Sequence, residues 1–206
     1  NTEAKCNSDA QSLPISKKAA VNLSTVSDKV VLSYSKTTYD KTEKEPDVTI
    51  EGLVKDTDYS VTYSNNVNAG TATVTIVGMN DYVGTLYQYF TIEPAKMTGV
   101  SVHGYKGTYD ESSHTITLDG VPEGAVVTYA SEESGIYSEM KPDRRSAGTT
   151  TVYYKIKKAN YEELKGCVKI VIEAAPIAEK KVELSDVSYV YDGTAKSPNV
   201  AIAGMI

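Results

Sequence analysis

Four residues of the types that most often carry nucleophilic or metal chemistry lie far apart along this chain: Cys6, His103, His114 and Cys167. A structural zinc site needs about four clustered nitrogen or sulfur ligands, and this spacing does not favour such a cluster. The chain also contains no Cys-x-x-Cys, no His-Glu-x-x-His and no glycine-rich phosphate loop. We therefore predict no metal site and no cofactor.

One short segment does combine the residue types of a nucleophilic triad, because His114 follows Asp110, Ser112 and Ser113. A triad is defined by the geometry and the roles of its members, and residue types alone do not establish one. We interpret this segment as a polar hairpin at the surface.

The acidic residues were considered for glycoside hydrolysis and for calcium binding. Catalytic carboxylates of glycosidases come from separate elements and lie about 5–10 Å apart, whereas Glu132-Glu133 and Glu162-Glu163 are sequence neighbours. Asp56-Thr57-Asp58 resembles a fragment of a calcium loop, but it lacks a glycine turn and a closing glutamate. We predict that the chain has no catalytic residues and is not an enzyme.

Tyrosines are the remaining candidates for a functional surface, since the chain has 16 Tyr, 1 Phe and no Trp. If Leu86, Phe90 and Ile92 face a core, strand alternation sends Tyr87 and Tyr89 outward. The same reasoning sends Tyr153 outward. Outward tyrosines can stack on sugars or on a partner protein. They can equally pair across strands and stabilise the sheet, and we favour this second interpretation.

The elements that position these residues are predicted to be β-strands. Apolar and polar residues alternate with a period of two in 59–63 and in 71–76, which indicates strands with one buried and one wet face. Between them, 64–70 is rich in Ser, Asn and Gly and predicts a hairpin turn. No segment shows a helical period of useful length.

Three landmarks recur along the chain in the same order. Tyr-Asp followed by a polar turn occurs at Tyr39, Tyr109 and Tyr191, with spacings of 70 and 82 residues. The other two landmarks each occur twice: Ala69-Gly70-Thr71 and Ala147-Gly148-Thr149, then Asn80-Asp81-Tyr82 and Ala159-Asn160-Tyr161. This order predicts tandem repeats.

The landmarks divide the chain into six predicted segments. They are a linker or upstream tail at 1–19, a β-sandwich repeat at 20–93, a linker at 94–98, a second repeat at 99–173, a linker at 174–181 and the start of a third repeat at 182–206. Both linkers contain proline, which stiffens a spacer and stops strand continuation.

The segment Tyr191–Pro198 resembles the opening of the YDG- or MBG-type repeats of bacterial surface proteins, and Asp58–Ile76 resembles their middle. The segment Gly120–Tyr129 is similar to a divergent second type of these repeats. The resemblance covers about residues 20–206 and implies tandem immunoglobulin-like β-sandwiches. It also implies stalk, spacer or adhesive work, and it carries over no catalytic residue. The first unit departs from the pattern at Lys41, where glycine is usual, so the geometry of that turn is open.

The net charge of −6 and the isoelectric point of about 5.0 argue against nucleic acid and against insertion into or binding to anionic membranes. We expect an extracellular protein, attached to a cell wall or secreted. Its expected partners are other repeats of the same chain and a host glycan or protein. We further expect Cys6 and Cys167 not to be bonded, and 182–206 to add as a strand to another sheet edge.

The sequence therefore predicts a non-catalytic structural or adhesive module that acts as a stalk or spacer. Two alternatives stay open: a carbohydrate- or protein-binding module, and an accessory region of a large secreted hydrolase.

Overall fold

The computed structural model describes residues 18–176 and 181–202. Apart from one 3-10 helix, Leu23–Lys29, the regular elements of these residues are β-strands, so the predicted all-β class is confirmed. No helix in the described ranges is long and apolar enough to cross a membrane. Most of the predicted tail at 1–19, including Cys6, lies outside the described residues. The chain divides into two compact units, 1–96 with 159–161 and 97–158 with 162–206.

The first unit is built on a four-stranded sheet. The strands of this unit are β1 Val21–Asn22, β2 Val30–Leu32, β3 Lys36–Thr38, β4 Val48–Ile50, β5 Tyr59–Ser64, β6 Gly70–Gly78, β7 Tyr82–Val83 and β8 Thr85–Glu93. The sheet order is β3-β8-β6-β5, with β3 parallel to β8 and the other neighbours antiparallel. β2 pairs antiparallel with β4, and β1 pairs parallel with β7.

The core of the first unit follows from the alternation of apolar residues. Ala72, Val74 and Ile76 on β6 are fully buried, and so are Phe90 and Ile92 on β8. The other buried members of this cluster come from the 3-10 helix, β4 and β5: Leu23, Val48, Ile50 and Tyr59. The helix and the β2–β4 pair therefore cover one face of the sheet. Each large apolar side chain buried in this way contributes about 1.5–3 kcal/mol.

The second unit has the same sheet order. Its strands are β9 Ser101–His103, β10 Tyr105–Thr108, β11 His114–Thr115, β12 Thr117–Asp119, β13 Val126–Ala130, β14 Asp143–Arg144, β15 Gly148–Lys157 and β16 Leu164–Glu173. The sheet runs β10-β16-β15-β13, with β10 parallel to β16 and the rest antiparallel. β9 pairs antiparallel with β12, as β2 does with β4. Ile116, Tyr129, Val152 and Ile170 form the buried cluster.

The Tyr-Asp turns adopt one conformation at all three places. Lys41, Glu111 and Gly193 have φ of 74°, 66° and 77°, in the left-handed region. The preceding aspartate accepts a hydrogen bond from the backbone N–H two residues on in each turn. Lys41 therefore keeps the turn geometry that Gly193 has, at a cost of roughly 1–2 kcal/mol relative to the right-handed region.

One connection differs strongly in length between the two sheets. Residues 65–69 join β5 to β6, whereas 131–147 join β13 to β15. The longer connection has twelve more residues. This is the largest difference in length between corresponding connections of the two sheets.

A third hairpin consists of β17 Val182–Leu184 and β18 Val200–Ile202, which pair with each other antiparallel. Val182, Leu184 and Val200 are exposed. Within the described ranges neither strand pairs with a third, and strand addition through 182–206 stays a prediction.

Replacing Tyr59 by phenylalanine should destabilise the first unit by about 1 kcal/mol. The Tyr59 hydroxyl is buried and donates a 2.9 Å hydrogen bond to the Val48 carbonyl, so the substitution removes a buried bond without creating a large cavity. Urea unfolding measures the change. Tyr87→Phe is the matched control, because the Tyr87 side chain is exposed. Equal stability of the Tyr59→Phe variant and the wild type would contradict this assignment.

Candidate functional site

The two tyrosines of β8 lie side by side on the outer face of the first sheet. Tyr87 is 58% exposed and Tyr89 is 60% exposed. Across the ladder they face Thr75 and Thr73 of β6. The sequence predicts this outward direction, and the reason is the burial of Phe90 and Ile92 on the opposite face of the same strand. The result is a small aromatic patch flanked by threonines.

Tyr153 lies on the outer face of the second sheet, between Cys167 of β16 and Ala130 of β13. Its neighbour Val152 is fully buried, which fixes the alternation. Cys167 is a free, exposed thiol, as the alternation of β16 predicts. The three candidate tyrosines therefore do not share one sheet, and Tyr153 has a different chemical environment from Tyr87 and Tyr89.

Lysines dominate the surroundings of Tyr153. Five of them alternate with inward residues on the strands β10, β15 and β16, and we call them the lysine face: Lys106, Lys155, Lys157, Lys165 and Lys169. Lys155 and Lys165 are direct cross-strand partners, and Lys169 lies opposite Thr151. The sequence reasoning missed this face because a net charge of −6 hides a local excess of positive charge. Lysines two or four residues apart on a predicted strand were the available signal.

Two carboxylates partly neutralise the lysine face. Lys157 Nζ lies 3.0 Å from Glu163 Oε2, and Lys106 Nζ lies 3.1 Å from Glu173 Oε1. A hydrogen bond from Lys157 and the nearby charges of Lys157, Lys155 and Lys165 hold the pKa of Glu163 below its ordinary value. Lys165 and Lys169 have no ion pair with any of the described residues. The face thus keeps unneutralised positive charge.

Lys155 has a further contact with an aromatic ring. Its Nζ lies 3.8 Å from the centroid of the Tyr137 ring, a cation–π distance. Tyr137 belongs to the long 131–147 loop, so that loop reaches the lysine face.

The segment with triad residue types does not form a triad. His114 Nε2 lies 2.9 Å from Asp110 Oδ1, and the His114 ring stacks on Tyr105 with centroids 3.8 Å apart. The Ser113 hydroxyl donates instead to Asp143 on β14. Ser113 therefore does not give its proton to His114.

His114 has counterparts in the other two Tyr-Asp turns. Lys44 Nζ lies 2.5 Å from Asp40 Oδ2, and Lys196 contacts Asp192 in the same way. In each case the basic residue follows the aspartate by four residues. This shared spacing identifies the His114–Asp110 pair as part of a turn.

In the segment that resembles part of a calcium loop, 56–58, the Asp58 side chain is hydrogen-bonded to the nearby backbone. The Asp58 carboxylate accepts a 2.8 Å hydrogen bond from the Val54 N–H, and Asp56 has a left-handed φ of 64°. Among the described residues, no three His, Cys, Asp or Glu side chains are grouped so that they could hold a metal ion.

The long 131–147 loop builds a shallow cavity of about 370 Å³ in the second unit. Loop residues line one side, and β13 and β15 supply Tyr129 and Thr150 on the other. Ile136 and Met140 in this loop are 96% and 81% exposed. The sequence reasoning missed this loop, although the longer distance from Tyr109 to Ala147 than from Tyr39 to Ala69 pointed to it.

Comparison of the chain with protein-family models, with curated proteins and with solved structures found no match.

Replacing Asp110 by asparagine should lower stability above pH 3.8 and reduce its dependence on acid pH. The hydrogen bonds from His114 and Ser112 hold the pKa of Asp110 below its ordinary value of 3.8. The carboxylate therefore stabilises the fold fully above pH 3.8, and this contribution is lost as the pH falls through the lower folded-state pKa.

Urea unfolding on both sides of pH 3.8 measures this effect. Asparagine keeps the oxygen that accepts from Ser112, so the turn itself is preserved. Asp28→Asn is the control, since Asp28 is exposed and forms no ion pair with the described residues. If wild type and Asp110→Asn lose stability in parallel with falling pH, the pair does not stabilise the fold.

Proposed function

We propose that this chain is a non-catalytic structural or adhesive module of a bacterial extracellular surface protein. In this proposal its two units are immunoglobulin-like β-sandwich repeats, joined in tandem, that act as a stalk or spacer. The support comes from the shared construction of the units, from the direction of their closing strands and from the resemblance of the landmarks to such repeats.

Register supports the treatment of the two units as copies of one repeat. Gly70 pairs with Ile92 at the start of β6, and Gly148 pairs with Ile172 at the start of β15. Both glycines have a similar positive φ, 140° and 132°. The landmark before the last strand contains an asparagine of left-handed φ in both units, with φ of 53° at Asn80, two residues before Tyr82, and 69° at Asn160, one residue before Tyr161.

The edges of the two sheets carry the same ion pair. Lys36 of β3 lies 3.3 Å from Glu93 of β8, and Lys106 of β10 lies 3.1 Å from Glu173 of β16. Exposed pairs of this kind contribute little to stability, about 0–1 kcal/mol. The two ion pairs do show that the strands of the two units occupy corresponding places.

The parallel pairing of β3 with β8 is the observation that carries the spacer proposal. The Tyr39 N–H donates to the Glu93 carbonyl at 2.9 Å, and the Thr91 N–H donates to the Ser35 carbonyl at 2.9 Å. When the chain is pulled from its two ends, parallel strands are drawn in opposite directions along their own axes. The pulling force then acts on all the hydrogen bonds of the ladder together. If the strands were pulled apart sideways, the bonds would break one after another. β10 and β16 have the same arrangement, with Tyr109 donating to Glu173 at 2.8 Å.

Substitution of Thr37 by proline should lower the force at which the first unit unfolds. Ladder alternation makes Thr37 a donor to β8, because Tyr39 donates and residues two apart on a strand share one edge. Proline removes this donor. Single-molecule stretching of the full chain between handles measures the force for each unit, since forced unfolding reports the unfolding barrier.

Thr38→Pro is the matched control, because its N–H faces away from β8 on the outer edge, where proline is tolerated. We expect one unfolding event to weaken in Thr37→Pro and neither to weaken in Thr38→Pro. Equal forces in wild type and Thr37→Pro would show that this ladder does not resist the pulling force.

A carbohydrate- or protein-binding module is the second candidate function. The exposed Tyr87 and Tyr89 favour it, because aromatic rings beside hydroxyl groups suit the faces of sugars. A glycan array that compares wild type with a Tyr87→Ala, Tyr89→Ala double variant separates binding from spacing. A third candidate is an accessory region of a large secreted hydrolase. Such a region would also act as a spacer, and the difference would lie in the catalytic domain to which it is joined.

A further inference from the structure

The outer face of the second sheet carries several lysines whose positive charges do not stabilise the fold. Lys155 and Lys165 are direct cross-strand partners, and like charges placed in this way destabilise a sheet. Local conflicts of this kind are expected mainly at functional sites. At the places where the second sheet has Lys165 and Lys169, the register of the first sheet has Thr85 and Tyr89. The charge is therefore a property of this sheet and is not required by the strand order.

We propose that the lysine face binds a linear acidic polysaccharide through the carboxylates of its uronic acid residues. The face already holds one carboxylate, because Glu163 is bound by Lys157 at 3.0 Å. Lys165 and Lys169 extend the positive charge beyond that carboxylate along β16, over about 13 Å at strand spacing. A chain of regularly spaced carboxylates fits this row of charges.

The residues between the lysines suit a sugar. Tyr153 lies in the middle of the face, and its neighbour Thr151 adds a hydroxyl opposite Lys169. An aromatic ring can pack against a pyranose face while hydroxyls and ammonium groups bind its substituents. Tyr137 holds Lys155 from the side at 3.8 Å, which limits the freedom of that lysine before a ligand arrives.

Nucleic acid fits this face less well. The five cations are all lysines, whereas bidentate recognition of phosphate favours arginine. The net charge of −6 also repels a dense polyanion at long range. A polyuronate has a lower charge density and can bind the lysine face locally.

The test measures binding of the full chain to polygalacturonate by affinity electrophoresis at low ionic strength, with neutral dextran as a blank. We expect wild type to be retarded by polygalacturonate only, and added salt to weaken the retardation. The Lys165→Gln, Lys169→Gln double variant should bind about tenfold more weakly, because it removes the two lysines of the face that have neither an ion pair nor an aromatic contact among the described residues.

A second variant separates this proposal from a merely structural role of the lysines. Glu163→Gln removes the internal carboxylate that competes for Lys157, so it should bind polygalacturonate several-fold more tightly than wild type. The matched control is Lys36→Gln, Lys55→Gln, which removes two exposed lysines of the first unit and should bind as wild type does.

Three results would overturn the proposal: no retardation of wild type, equal weakening in the control and the lysine double variant, or tighter binding to single-stranded DNA than to polygalacturonate. Circular dichroism of each variant establishes that it is folded. None of these results bears on the unfolding force, so the spacer proposal stands or falls independently.

Discussion

In each of the two units, the rest of the structure depends on the hydrogen bonds between the strand before the Tyr-Asp turn and the last strand. In the first unit they run from β3 to β8, and in the second from β10 to β16. These bonds join residues more than fifty positions apart, so they connect the beginning and the end of the unit across all the intervening strands. The last strand also supplies core residues, among them Phe90 and Ile170. The same strand therefore provides both the closing ladder and part of the core.

This closure leaves the outer face of each sheet free to vary. The inner face must pack, and it presents Val74 and Ile92 in one unit and Val152 and Ile172 in the other. Nothing comparable restricts the outer face, where a threonine-flanked aromatic patch in one sheet contrasts with the lysine face in the other. A spacer with such sheets can carry different surfaces on one frame, and the 131–147 loop adds a third kind of variation at a sheet connection.

Sequence patterns were sufficient for the features that depend on local periodicity. The alternation in 71–76 predicts which side of β6 is buried, and the Tyr-Asp landmarks predict three polar turns. The structure adds that the three turns share one conformation, including the one at Lys41. Patterns were insufficient where a feature depends on which strands become neighbours. The Lys155–Lys165 pair joins residues on separate strands, and Ser113 finds Asp143 only because β11 pairs with β14. Such contacts arise from long-range register, which composition and net charge do not report.

Amide hydrogen exchange at the three Tyr-Asp turns tests the closure most directly. The Tyr39 and Tyr109 N–H groups donate to the last strand of their units, whereas in the described part of the chain the Tyr191 N–H has no such acceptor. The account predicts slow exchange at Tyr39 and Tyr109 and fast exchange at Tyr191. Protection of Tyr191 equal to that of the other two, or fast exchange at all three, would contradict it.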